Sequence, residues 1–427
     1  MKRRSWLLLP FALLPLGLAQ ALSPARPSVS AAVAARGMTV LDTRSSAEFN
    51  GWPAAGQRRG GHWPGAINLP AAWLDGLTDA ALAALLSAKG VEPTASIALV
   101  GEHSAALAAR LAALGHPRLT RFDDALADPT RLQALPNYRA LVPASWLQDL
   151  IAGRPVHAAP SGPWQVFEVD WGAPKTYLLG HVPGAGHIDT NAVESEPLWN
   201  VIDPAALRAW IVAQGIRADT TVILYGRTTM AAARVAQILM TAGVADVRLV
   251  DGGWAAWRAA GGASQIGLPP KPTPAQEFGG RARPELTVTL KQAQRIQRSG
   301  QGRLVSIRSW PEFIGATSGY SYIDAKGDIP GAAWGHGGID AQSLSDFHNP
   351  DGTMRAANEI AAFWRAAGIE PGQRIAFYCG TGWRAAEAFF YAHVMGWTNI
   401  AVFDGGWLEW SLDPARPRVS GERAWRR

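Results

Sequence analysis

The sequence predicts an α/β protein built from three consecutive units, each a mainly parallel sheet flanked by helices, and three observations carry that reading. The chain has 427 residues, 48% of them hydrophobic. At about 150 residues per domain that length allows two to four domains, each with a sizeable core. Short apolar runs alternate with amphipathic stretches along the chain, the pattern of strand, helix and parallel strand. One turn recurs three times, as His62-Trp-Pro-Gly-Ala-Ile67, His181-Val-Pro-Gly-Ala-Gly186 and Asp328-Ile-Pro-Gly-Ala-Ala333. A second repeat agrees with it. Asp251-Gly-Gly-Trp254 and Asp404-Gly-Gly-Trp407 stand 153 positions apart, the offset that also separates Tyr225 from Tyr378 at the ends of two predicted strands. Locally these are turn chemistry, with φ fixed at proline and freed at glycine, and their recurrence makes them architectural.

At the amino end, Lys2, Arg3 and Arg4 precede the apolar run Trp6 to Leu18, and Ala19-Gln-Ala21 supplies small residues for cleavage. Residues 1–21 therefore read as a secretory signal peptide, which predicts a periplasmic protein. Arg3-Arg4-Ser-Trp-Leu faintly resembles a twin-arginine export signal, with ordinary export the alternative. Removing that segment lowers the net charge from +6 to +3, and no Lys/Arg run is interleaved with aromatics, so nucleic acid is not an expected partner. No later stretch of about 20 apolar residues predicts a membrane span. The chain has one cysteine, so no internal disulfide can form, and the fold must stand on its core.

Unit one is placed at 24–140. Its early stretch Leu41-Asp-Thr-Arg44-Ser-Ser-Ala-Glu48-Phe49 has a counterpart in unit three, Ser306-Ile-Arg308 followed by Glu312-Phe313. Arg44 and Arg308 are read as structural ion-pair partners rather than ligands. Unit two, at 141–265, follows with little linker, and Pro143-Ala-Ser145-Trp-Leu begins its first helix. A Pro/Gly-rich stretch, 266–283, contains Leu268-Pro-Pro-Lys-Pro-Thr-Pro274 and reads as a semi-rigid spacer or a surface strap. Unit three spans 284–416. Its predicted elements are strand Arg303–Ile307, helix Ala356–Ala367, strand Arg374–Tyr378, helix Ala385–Val394 and strand Ile400–Phe403. The long glycine- and aromatic-rich connection from Trp310 to Asp351, with Tyr320, Tyr322 and His336, is expected to line a pocket. His336 itself reads as a packed or surface histidine.

The chemistry is expected at Cys379-Gly-Thr-Gly-Trp-Arg384, between the strand ending at Tyr378 and a helix. Ligands of parallel sheets bind beyond the carboxyl ends of strands, and Cys379 lies at such an end. Gly380 and Gly382 are expected to take positive φ so that amides turn inward, and the helix adds its positive end. A thiol in that nest near Arg384 should be present as thiolate and act as a nucleophile. Unit two keeps the loop length in Gly226-Arg-Thr-Thr-Met-Ala231, with glycine and alanine where unit three has cysteine and arginine. In unit one the interval Gly101 to Gly115 is shorter than Cys379 to Gly396, so the loop is expected to be shortened by about a turn. Both units are predicted to be inactive.

The six-residue cysteine loop, the Pro-Gly-Ala and Asp-Gly-Gly-Trp signatures and the early Arg/Glu-Phe stretch resemble the rhodanese family. That resemblance implies three tandem rhodanese-like domains and a sulfurtransferase. Cys379 would carry a persulfide, with Gly380, Thr381, Gly382, Trp383 and Arg384 as the substrate-binding loop. The layout resembles the exported three-domain thiosulfate sulfurtransferases, which implies thiosulfate as donor and cyanide or a thiol as acceptor. Cys379-Gly-Thr-Gly is also similar to the start of the 3-mercaptopyruvate-type loop, and a persulfide carrier acting with a protein partner is the third reading. No His/Cys/Asp/Glu spacing indicates zinc and no phosphate-binding glycine motif occurs, so no metal or cofactor is expected.

Overall fold

A computed structural model describes residues 37–422 apart from 102–103, 117 and 123–124. The signal-peptide reading falls on residues 1–21, outside the described part.

The described residues form three parallel sheets. The first has the order Ile67–Asn68, Thr39–Asp42, Ser96–Val100, Arg118–Arg121. The second runs Leu141–Val142, Asp246–Val250, Thr221–Gly226, Trp164–Asp170, Gly186–Asp189, and the third Thr287–Val288, Ile400–Phe403, Ile375–Tyr378, Arg303–Ser306, Ala333–Trp334. Each pair within these sheets is parallel. The middle strands of the second and third sheets, Thr221–Gly226 and Ile375–Tyr378, are buried throughout, as strands covered by helices on both faces must be. A short antiparallel pair, Glu194–Ser195 with Asn200–Val201, leaves the second unit and reaches the third.

The recurring turn does the same work three times. His62 bridges Gln133, His181 bridges Gln265 and Asp328 bridges Val419, so each copy ties the middle of its unit to that unit's carboxyl tail. An arginine donates to the carbonyl just before each turn. Arg44 donates to Gly61 O and Arg308 to Gly327 O, both at 2.7 Å. Unit two lacks an arginine at that place, and Arg227 of its own loop reaches Gly180 O while pairing with Glu168. Arg44 pairs with Asp42, and Arg308 with Glu312 and Asp328, all buried. Such pairs hold the turn against the sheet.

Predicted and observed elements of unit three agree to within two residues. The helix after the cysteine loop runs Trp383–Val394, starting earlier than expected, with Gly382 before it at φ +105°. In unit one the strand ends at Val100 and the helix spans Ser104–Ala113. That helix has 10 residues against 12 in unit three, so part of the shorter interval lies in the helix, while the loop includes residues 102–103, outside the described part. The stretch 267–283 lies along unit two. It is pinned by Ala275 N–H to Val212 O, by Ala218 N–H to Phe278 O and by the buried Phe278 ring.

Units two and three pack through Thr229–Ala242 against Trp383–Val394, two helices buried along nearly their whole length. Each is the helix that follows its unit's loop. Their packing therefore brings the loop of one unit near the other unit, and one hydrophobic cluster extends across both.

Candidate active site

Cys379 follows the central strand of the third sheet and is 1% exposed. Its Sγ accepts from Gly382 N–H at 3.2 Å, and the next residue, Trp383, starts the 12-residue helix. A sulfur so placed meets a backbone donor and the positive end of a helix, which together favour its anionic form. Gly382 takes the expected left-handed φ, whereas Gly380 does not. Glycine is needed at 380 for space: a Cβ there would lie 2.3 Å from the Tyr320 ring.

The Asp-Gly-Gly-Trp signature braces the loop from behind. Trp407 N–H donates to Cys379 O at 2.8 Å and Leu408 N–H to Gly380 O at 3.0 Å. Gly406 has φ +53°, and a Cβ on it would stand 2.6 Å from Cys379 O. Unit two repeats this contact, with Gly253 at φ +56° against Gly226 O. Both units therefore brace the loop from behind in the same way, but the unit-two helix starts one position earlier, at Thr229, and only the third loop carries a thiol.

Arg384 is buried and tied at two points to Glu312, Nη1 to Oε2 and Nη2 to Oε1, both 2.8 Å. Nη1 also donates to Asp340 O and Nη2 to the Tyr320 hydroxyl. Burial works against its charge, but Tyr320 and Glu312 outweigh that and raise its pKa. Burial would likewise raise the Glu312 carboxyl, and Arg384 instead holds it below the usual glutamate range. The sequence reading placed a substrate-binding arginine here. The structure places half of a buried ion pair, whose Nε is buried without a hydrogen-bond partner among the described residues.

A cavity of about 670 Å³ opens beside the loop. Thr381, Trp383 and Arg384 line it, with Tyr320 and Tyr322 from the long connection, as expected. His336 does not line it. That imidazole is stacked 3.9 Å from Trp334 and packed on Phe363. Sequence reasoning missed the other wall, which unit two supplies through Trp171, Glu194, Glu196, Trp199 and Met230. Glu194 accepts from the Trp383 indole at 2.9 Å.

The model of the rhodanese-like domain matches residues 144–260 and 289–413. The chain belongs to the rhodanese family. It is 51% identical over 387 residues to the thiosulfate sulfurtransferase YnjE of Escherichia coli K12, covering 90% of this chain and 89% of that protein. The crystal structure of YnjE superposes with a TM-score of 0.90 at 49% identity, over 93% of this chain and 96% of that one. The anaerobic ergothioneine biosynthesis enzyme of Chlorobium limicola, solved with its substrate trimethyl histidine, superposes with a TM-score of 0.88 at 36% identity, over 93% and 100% of the two chains. The rhodanese family model covers units two and three, and the first parallel sheet lies amino-terminal to its matches.

Proposed function

We propose that the protein is a thiosulfate sulfurtransferase working through a persulfide on Cys379, with units one and two catalytically silent. One observation carries the reading. The chain's sole cysteine stands at the carboxyl end of a central parallel strand, its sulfur on a loop amide at a helix start, in a chain half identical to a thiosulfate sulfurtransferase. The Cys379 thiolate attacks the outer sulfur of thiosulfate, the sulfur–sulfur bond breaks, and sulfite leaves with its electron pair. The loop amides hold the resulting anionic sulfur, with Gly382 N–H already in place. A thiophilic acceptor, cyanide or a thiol, then attacks the outer sulfur and regenerates the thiolate. Arg384 Nε is the donor left to meet the incoming sulfonate. Thiocyanate formation from thiosulfate and cyanide by the wild type, absent in Cys379→Ser, tests the assignment. Faster turnover with 3-mercaptopyruvate would reassign the donor, and sulfur loading without turnover would indicate a carrier that needs a protein partner.

The cavity favours a second reading of the acceptor. Cyanide needs far less than about 670 Å³, and the walls carry Trp171, Trp199, Tyr320, Tyr322 and Trp383 together with Glu196. Aromatic faces beside a carboxylate suit an organic cation, and the Chlorobium limicola enzyme takes trimethyl histidine. Under this reading the acceptor is a small organic molecule of that class. Mass spectrometry of a persulfidated sample mixed with trimethyl histidine should then find a product one sulfur heavier.

The silent units follow from the same residues. Unit one repeats the turn bridge and the buried arginine of unit three, which supports a third, degenerate rhodanese-like domain. Export to the periplasm is proposed from the amino-terminal segment, and cell fractionation with amino-terminal sequencing checks it.

A further inference from the structure

The face of unit two that meets the cysteine loop is built from buried charge, an unusual material for an inert scaffold. Arg234 lies on the helix Thr229–Ala242 and is fully buried. Its Nε donates to Glu194 at 2.6 Å, its Nη2 to Asp404 at 2.5 Å and its Nη1 to Gln237 at 3.3 Å. Glu194, 2% exposed, uses its other oxygen to accept from the Trp383 indole. Asp404, of the Asp-Gly-Gly-Trp signature, uses its second oxygen to accept from Val201 N–H. The guanidinium also lies against the loop: a Cβ on Gly382 would stand 3.1 Å from Arg234 Cζ. Gly382 is the residue whose amide meets the sulfur. Two residues of unit two thus grip two successive residues of the loop in unit three.

The relation between the two units sharpens the point. Asp251, the counterpart of Asp404, accepts from Met354 N–H at 2.7 Å just as Asp404 accepts from Val201 N–H, the two aspartates standing 153 positions apart and the two donors likewise. The same offset carries Arg234 to Glu387, which bonds His348 instead. The framework is shared, and the arginine clamp stands only beside the loop that holds the cysteine. Burying an ion pair brings little net stability compared with apolar packing, so a role in holding geometry accounts for it better than stability does.

We propose that Glu194 and Arg234 of unit two are positioning residues for the cysteine loop of unit three: they hold Trp383 and Gly382 so that the Gly382 amide points at the sulfur. The inference rests on Cys379 being the working thiol. Its test reads the loop itself, so it stands apart from whether thiosulfate is the donor.

The lone cysteine makes that test clean, because alkylation by iodoacetamide adds mass at one site. Trp383→Phe keeps a ring and removes the indole N–H. Glu194→Gln turns one of the two accepting oxygens into an NH2 donor, so it cannot keep both the Arg234 bond to Oε1 and the Trp383 bond to Oε2. If the clamp works as proposed, each variant slows alkylation near neutral pH by about tenfold, since the amide that meets the sulfur is no longer held. The double variant should be within about twofold of the worse single one, because both act through the same contact. Thermal melts identify any variant that fails to fold, and Trp383→Phe, the milder change, then decides alone. A wild-type alkylation rate in Trp383→Phe overturns the proposal, as do effects that multiply in the double variant.

Discussion

Arg384 and Glu312 are joined by two parallel hydrogen bonds of 2.8 Å, linking the first turn of the loop helix to the early signature of the same unit 72 residues earlier. Two-point guanidinium–carboxylate pairs fix orientation as well as charge. The pair therefore sets where the remaining Nε of Arg384 can act, and it lowers the net positive charge that an incoming dianion meets. Arg384→Ala should lose roughly 2–4 kcal/mol of transition-state or substrate binding, the scale of removing one charged donor from an anion site. It also leaves the buried Glu312 carboxylate with only the longer Arg308 contact and Ser309 to balance it, so its melting temperature should fall as well. Arg384→Lys should recover only part of either, because an ammonium cannot span both oxygens. Wild-type kcat/KM for thiosulfate in both variants would leave Arg384 a purely structural residue.

Covalent loading is the most direct expectation. Intact mass after thiosulfate should rise by one sulfur, about 32 Da, and return on cyanide, as transfer through a single thiol requires. Cys379→Ser should gain nothing. A gain in that variant would move the chemistry elsewhere.

Grafting the nucleophile onto unit two should fail. Gly226→Cys in a Cys379→Ser background lacks an arginine, since Ala231 stands there, and its neighbour Arg227 is committed to Glu168 and Gly180 O. A Cβ at 226 would also lie 2.4 Å from Thr228 O, so the loop must shift to accept it. Turnover is expected below about 1% of wild type, by analogy with the loss of an oxyanion donor. Robust thiocyanate formation by the grafted protein would contradict the assignment of unit two as silent.

What could be read from the sequence was local or repeated. The strand into Tyr378, the cysteine loop and the three Pro-Gly-Ala turns each declare themselves within a few residues, and recurrence revealed the three sheets. Contacts between units left no such trace. Nothing near Glu194 or Arg234 marks them as neighbours of Trp383, because their meeting depends on how two helices pack. Gly380 shows the same limit on a smaller scale: glycine was expected there for its φ, and the cause is the Tyr320 ring, 60 positions upstream. For Arg384 a signal did exist. Glu312 belongs to the early signature, at the carboxyl end of the strand beside Cys379, so a partner carboxylate was within reach of the argument.

The pH dependence of stability should expose the charge buried in the other half of the interface between units two and three. Asp251 is buried, and that burial pushes its carboxyl up to about 7 from the ordinary 3.8. Met354 N–H and His348 oppose the rise, while Asp351 and Glu387 add to it. A raised pKa means that the folded protein binds this proton more tightly than the unfolded chain does. No penalty exists below about pH 4, where both states are protonated. Stability then falls between about pH 4 and 7, and the loss is complete above that. At about 1.4 kcal/mol per unit the whole effect is of the order of 2–4 kcal/mol. His348 acts in the same direction at higher pH: burial would lower it, Glu387 outweighs that and raises it, so its contribution is lost as pH rises past its ordinary value. Asp251→Asn keeps an oxygen for Met354 N–H and removes the titration. It should melt higher than wild type at pH 8, match it near pH 4, and show a flatter melting curve against pH between them. Equal slopes for the two proteins would mean that Asp251 ionises in the folded state without penalty, its charge carried by the Met354 amide and His348.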